Sequence, residues 1–313
     1  MSNEHLGDFY PNQNNIFYAT NGYKFHVKIN SDGFRANERE VTCSKKILLL
    51  GDSQVFGFGL SSEKTISSKL QNKLNENGFC YEVLNFGVMF FTIGDMYTLV
   101  KDKLSNLDDV EYVFVHFFSG NDLSDMVSNK GIFRHIHKVK ENQEVKLYLS
   151  TNRIYEYFKN NYPYLNLGYE KDNELAQNSK NCINQPIDIR IFNAACRGDS
   201  HKKDFFELVE NNLTNDYEYL FKIYLKGVLD IQKLLNIGND KYFFSHLPSF
   251  RNYKNKVFDL DKDNYKFQYT DFHELFKNRE LKDLYLEYDW HLNDMATTII
   301  ANKYFEKIIK IRR

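Results

Sequence analysis

Apolar residues along the chain follow two alternating rhythms. Ile47-Leu48-Leu49-Leu50, entered from Lys46 and stopped by Gly51, is apolar without a break, the pattern of a strand covered on both faces in a parallel sheet. Ile66, Leu70 and Leu74 then recur at helical spacing over residues 64–76, and Asn77-Gly78 offers a left-handed stop. Tyr81 to Phe86 reads as a second strand, residues 93–105 as a second helix and Tyr112 to Phe118 as a third strand. A helix over 217–236, a strand from Tyr242 to Ser245 and a closing helix from Asn293 to Ile309 complete the series. Strand alternating with helix predicts a three-layer α/β/α sandwich on a parallel, flavodoxin-like sheet.

Two stretches fall outside this rhythm. Residues 1–44 form a polar N-terminal extension in which Tyr23 to Ile29 alternates like a strand and Asn30-Ser31-Asp32-Gly33 reads as a turn, expected to pack on the core. Residues 123–215 lose their periodicity in Asn-, Lys- and Tyr-rich sequence. That is too long for a structureless loop in a compact domain, so it reads as an inserted lid or subdomain of a catalytic domain spanning 45–313.

Composition narrows the partners. Lys+Arg 41 against Asp+Glu 42 gives a net charge of -1, with no overall field to draw the protein onto nucleic acid or anionic lipid. Cys43, Cys80, Cys182 and Cys196 are far apart, without zinc-type pairs, and are expected to be reduced thiols; no metal or cofactor is expected. The N-terminus has no basic-then-apolar leader, and no run approaches ~18 apolar residues, so the expectation is a cytoplasmic protein without membrane insertion. Aromatics at 16% fit either a codon-biased genome or a sugar-stacking surface. Oligomeric state is left open.

The candidate chemistry begins at Gly51-Asp52-Ser53, directly after the first buried strand, where open parallel sheets place their ligand sites. In isolation the tripeptide is also a good turn or helix cap. The bland readings of the other candidates are similar: Gly87 as a strand-ending turn, Gly120-Asn121-Asp122 as a turn and cap, His291 as a surface histidine, His116 as a satisfied core histidine. Order and placement favour the chemical reading, because each short motif follows a core strand or precedes the last helix.

Gly51-Asp52-Ser53 resembles the first motif block of the SGNH, or GDSL-type, hydrolase family. Leu84-Asn85-Phe86-Gly87 is similar to the second block, Gly120-Asn121-Asp122 to the third and Asp289-Trp290-His291-Leu292-Asn293 to the fifth. The resemblance implies Ser53 as nucleophile, His291 as general base and Asp289 as the acid behind it. It also implies an oxyanion hole of the Ser53 N–H, the Gly87 N–H and the Asn121 side chain. The commonest pattern puts the acid three residues before the histidine, where this chain has Tyr288. Asp289 is therefore chosen over Glu287, and a bent loop, with Asn293 capping the helix beyond it, is needed to bring Asp289 and His291 together. The third block is usually written G-x-N-D, and its first position here is Ser119.

Relatives that handle O-acyl sugars often carry a stretch similar to Asn30-Ser31-Asp32-Gly33-Phe34-Arg35. The resemblance thus implies a serine esterase for a small O-acyl group, acetyl above all, on a glycan or other small-molecule ester. An O-acyltransferase, a non-catalytic glycan-binding or assembly protein, and a long-chain lipase or thioesterase are the alternatives. His246, at the end of the fourth strand, is a possible substrate-binding residue.

Overall fold

A computed structural model of the chain describes residues 11–18, 24–36, 43–89, 91–123, 136–141, 144–149, 214–251, 253–254, 260, 265–287 and 291–312. It opens with β1 (Gln13–Tyr18) and β2 (Lys24–Ile29), an antiparallel pair. In β2 the expected alternation holds: Phe25, Val27 and Ile29 are buried, His26 and Lys28 exposed, and the buried three pack with Phe56. β1 has no period-two apolar pattern and is recognisable only through its pairing with β2.

The alternation continues through β3 (Lys46–Gly51), α1 (Ser53–Phe56), α2 (Ile66–Glu76), β4 (Glu82–Gly87), α3 (Ile93–Leu99) and β5 (Val110–Phe118). The helix expected over 93–105 changes at Val100 into a wider π turn, Val100–Leu104, that keeps Val100 and Leu104 buried. Then come a hairpin of β6 (Ile136–Glu141) and β7 (Glu144–Leu149), α4 (Thr214–Leu234), β8 (Tyr242–Leu247), β9 (Gln268–Asp271), α5 (His273–Phe276) and α6 (Asp294–Arg312). Apart from that hairpin, the predicted insertion lies almost wholly outside the described residues.

β4, β3, β5, β8 and β9 form, in that order, a five-stranded all-parallel sheet flanked by helices. The second core strand lies outside the first, and the third to fifth extend the other way, the flavodoxin-like order expected from the sequence. One face is covered by α2 and α6, whose Leu70, Leu74, Ile300, Tyr304 and Ile308 pack on Ile47, Leu49, Tyr112, Phe114 and Phe243. The Phe114 ring stacks between Phe243 at 4.5 Å and Tyr304 at 4.1 Å. Each such fully buried side chain contributes roughly 1.5–3 kcal/mol of transfer free energy. Asn293 caps α6 as expected, its Oδ1 accepting from Ala296 N–H at 3.1 Å.

By contact, Met1–Phe91, Leu99–Asp122 and Asp230–Arg313 make one compact unit, and Thr92–Thr98 with Leu123–Leu229 a second. No helix among the described residues is long and apolar enough to cross a membrane.

The reduced-thiol expectation is overturned for two cysteines. Cys43 and Cys80 are disulfide-bonded, with Cα atoms 5.4 Å apart. Their separation of 37 in sequence concealed the pairing. They immediately precede β3 and β4, whose parallel register sets Lys46 beside Glu82, so the strand entrances are neighbours. A bond of this kind persists in oxidising surroundings. Cys182 and Cys196 lie outside the described residues.

His116 of β5 is a satisfied core histidine. Its Nδ1 lies 2.9 Å from the Leu50 carbonyl, which can only accept, so Nδ1 carries the proton and Nε2 accepts from the Tyr304 hydroxyl at 2.7 Å. Burial lowers its pKa to about 4, against the smaller opposing effect of its backbone hydrogen bonds. The unfolded chain therefore takes up a proton near the ordinary histidine value that the folded chain refuses until about pH 4. Stability is fully present above the ordinary value and declines as pH falls through this window, by on the order of 3 kcal/mol in all. Urea midpoints at pH 7.5, 6 and 5 should fall more steeply for wild type than for His116→Gln; parallel declines would assign the acid sensitivity to other groups.

Candidate active site

The sheet's topological switch point lies between β3 and β5, and open α/β sheets leave a crevice at the carboxyl ends of such strands. β3 ends there at Gly51, and Asp52 caps the single turn of α1 by accepting from Gln54 N–H at 2.9 Å. Ser53 is the first residue of that turn, so its N–H has no acceptor inside the helix. Its carbonyl is used: Gly57 and Phe58 N–H both donate to it at 3.0 Å. Gly57 ends the turn in the left-handed region (φ +79°), where a Cβ would also meet Arg35 Nη1 and Thr65 Cγ2 at 2.8 Å.

So short a helix leaves carbonyls without partners, and buried side chains supply them. Asn85 Nδ2 donates to the Val55 carbonyl at 3.1 Å, and the Arg35 guanidinium donates to those of Phe56 and Gly57.

His291 enters from the opposite end of the chain. A bridge between Tyr285 and Leu292, with Leu286 N–H donating to the His291 carbonyl at 2.7 Å and Asn293 N–H to the Leu284 carbonyl at 2.9 Å, draws the two sides of its loop together. Gln54 Oε1 accepts from Leu292 N–H at 2.9 Å, tying the residue after the histidine to the residue after the serine. The ring of Phe58 lies 4.8 Å from the imidazole. Held in this way, His291 Nε2 is 2.8 Å from Ser53 Oγ. The other polar neighbour of Ser53, Asp52 Oδ2, is 3.5 Å from the hydroxyl, too long to compete. Ser53 is buried and His291 half-buried.

The remaining predicted residues fare differently. Asn121 lies in the turn after β5, at the same carboxyl end of the sheet as Ser53. That turn is pinned by Asp122, whose carboxylate accepts from Phe118 N–H at 2.9 Å, and by Ser119, whose hydroxyl accepts from Ser249 N–H at 3.0 Å. Gly87 ends β4, and its N–H donates to Asn85 Oδ1 at 2.9 Å. A Cβ there would lie 2.1 Å from the backbone nitrogen of Phe56, so glycine allows the close packing beneath α1. Asp289 lies outside the described residues, and Glu287 is exposed.

His246 is buried in β8 with its Nδ1 3.3 Å from Asp271 Oδ1 on β9. Burial raises the Asp271 pKa, but the His246 contact and the His273 N–H, 3.0 Å from Oδ1, outweigh it and hold the carboxyl below its usual value. No cluster of three or more metal-ligating side chains occurs among the described residues.

Three supports of the site were not singled out from the sequence: Gln54, Asn85 and Arg35. Asn85 and Arg35 sit inside quoted motifs and Gln54 directly after one, so the signal was their position beside Ser53, before Gly87 and at the end of Asn30–Arg35.

No family model matches the chain, and no curated protein matches it. Among solved structures it is similar to an acetyl xylan esterase, at 15% identity and a TM-score of 0.41, covering 84% of this chain and 99% of that one. It is also similar to the psychrotrophic esterase EstA from Pseudoalteromonas sp., at 13% identity, TM-score 0.33 and coverage of 85% and 97%. A third is AlinE4, an SGNH-hydrolase family esterase, at 21% identity, TM-score 0.24 and coverage of 46% and 97%.

Proposed function

We propose that the chain is a serine hydrolase that cleaves a small O-acyl ester, acetyl above all, on a carbohydrate-type substrate through an acyl-enzyme at Ser53. The observation that carries this reading is the 2.8 Å contact between His291 Nε2 and Ser53 Oγ at the sheet's switch point. A serine hydroxyl is hardly ionised at neutral pH, and an imidazole at hydrogen-bond distance takes its proton as the oxygen attacks the ester carbonyl. His291 then returns the proton to the leaving alcohol, the Ser53 ester forms, and the same imidazole activates water to release the acid and free the serine.

The tetrahedral oxyanion needs donors in advance, and the Ser53 N–H and the Asn121 side-chain amide are the two assigned here. The carbohydrate part rests on the resemblance of Asn30–Arg35 to relatives acting on O-acyl sugars.

A p-nitrophenyl ester series from acetate to octanoate, run with wild type, tests the acyl size: rates should be highest for acetate, and a maximum at octanoate would replace this reading with a lipase-type one. Asn121→Ala should lower kcat by ~10²-fold with KM little changed, because an oxyanion donor acts mainly in the transition state. An effect confined to KM would make Asn121 a substrate binder.

A further inference from the structure

Arg35 is fully buried, and its hydrogen bonds go to backbone oxygens. Nη1 donates to the carbonyls of Phe56 and Gly57, Nη2 to that of Leu60, and the His26 carbonyl of β2 lies 3.4 Å from Nη2. The guanidinium carbon is 4.5 Å from the centre of the Phe56 ring. Burial pulls its pKa down to about 9, with the attraction of Glu63 opposing, so it stays charged at neutral pH. The turn before it is rigid: Asn30 Oδ1 accepts from Asp32 N–H at 3.1 Å and Phe34 N–H at 2.9 Å, and the Phe34 ring packs edge-on against Phe86 at 4.6 Å.

We propose, on the basis of the hydrolase reading above, that Arg35 is a positioning residue for the Ser53–His291 pair, acting through the segment Phe56–Leu60. Two links join that segment to the chemistry. The amides of Gly57 and Phe58 hold the Ser53 carbonyl, which fixes the turn that presents the nucleophile. Phe58, in the middle of the clasped segment, sets its ring against the His291 imidazole. One planar fork thus fixes the backbone behind the serine and the surface on which the histidine rests. A lysine would keep the charge, but a single ammonium on a flexible stem cannot hold three carbonyls in one geometry. Misplacement of reacting groups by about 1 Å costs ~10²-fold in rate even when binding is preserved.

The test uses the full chain and begins with wild type, labelled with a fluorophosphonate to count competent Ser53 sites. Arg35→Lys is then compared for urea midpoint, for kcat and KM on p-nitrophenyl acetate per labelled site, and for the labelling rate constant. The expected result is a kcat lower by ~10²-fold, a labelling rate reduced in parallel and a KM within about 3-fold of wild type. A clasp that only stabilises the fold would lower the urea midpoint and leave turnover per site intact, and that result would overturn the proposal; so would a loss confined to KM.

Should Arg35→Lys fail to fold, Phe58→Leu carries the test with the buried cation left in place. A kcat loss of about 10-fold at constant KM supports the proposal, and an unchanged kcat overturns it. A wild type that neither labels at Ser53 nor turns over sinks the hydrolase reading and this role with it, whereas a labelled, active wild type beside an undiminished Arg35→Lys sinks the role of Arg35 alone.

Discussion

Ser53→Ala is expected to lower kcat for p-nitrophenyl acetate by at least ~10⁴-fold while leaving the unfolding free energy from urea titration within about 1 kcal/mol of wild type. The reason lies in what Ser53 Oγ touches. Its close polar partner is His291 Nε2 at 2.8 Å, and the turn that carries it is held by groups other than the hydroxyl: the Asp52 cap, the Asn85 amide, the Arg35 guanidinium and the close approach of Gly87. Removing the oxygen therefore deletes the nucleophile and leaves the scaffold intact. Fluorophosphonate labelling should vanish together with turnover. A Ser53→Ala protein that retains wild-type turnover, or labelling that maps to another serine, would end the assignment of the nucleophile.

That scaffold explains which parts of the molecule could be read beforehand. β3, β4, β5 and β8 announce themselves because strands buried on both faces are mostly apolar, and α2 and α6 because each turns one apolar stripe to the sheet. β9 escaped notice because Gln268-Tyr269-Thr270-Asp271 is a short strand at the sheet's edge, with half of its residues partly exposed and no apolar run. The disulfide escaped because sequence separation carries no information about which strand entrances become neighbours; only the parallel pairing of β3 with β4 does.

Within the site, the members of the pair follow from motif order, but their supports do not. Gly87 shows why: a glycine after a strand is compatible with an open amide and equally with close packing, and the packing part shows only in the fold, where a Cβ would meet the Phe56 nitrogen at 2.1 Å. Gln54 and Arg35 belong to the same class, polar residues whose role is set by a partner far away in sequence. Gln54 meets Leu292, and Arg35 meets the carbonyls that end α1.

Asp289→Asn should cut kcat by up to ~10⁴-fold, and Glu287→Gln should change it little. An imidazole that accepts the Ser53 proton at Nε2 must carry its own proton on Nδ1, and a carboxylate facing Nδ1 selects that tautomer and stabilises the imidazolium formed during attack. An amide in its place can donate to Nδ1 instead, which turns the proton to Nε2 and leaves Ser53 without a base. The acid role requires the Asp289 carboxylate to come within hydrogen-bond distance of His291 Nδ1. The flanks supply the means: the Tyr285–Leu292 bridge and the bond from Leu286 N–H to the His291 carbonyl close a loop between 286 and 291, while Gln54 fixes its far side at Leu292. Glu287 is exposed at the start of that loop. Measured as kcat on p-nitrophenyl acetate across pH 6 to 9, near-normal activity in both variants would make the enzyme a Ser53–His291 dyad, and a defect confined to Glu287→Gln would move the acid two residues upstream.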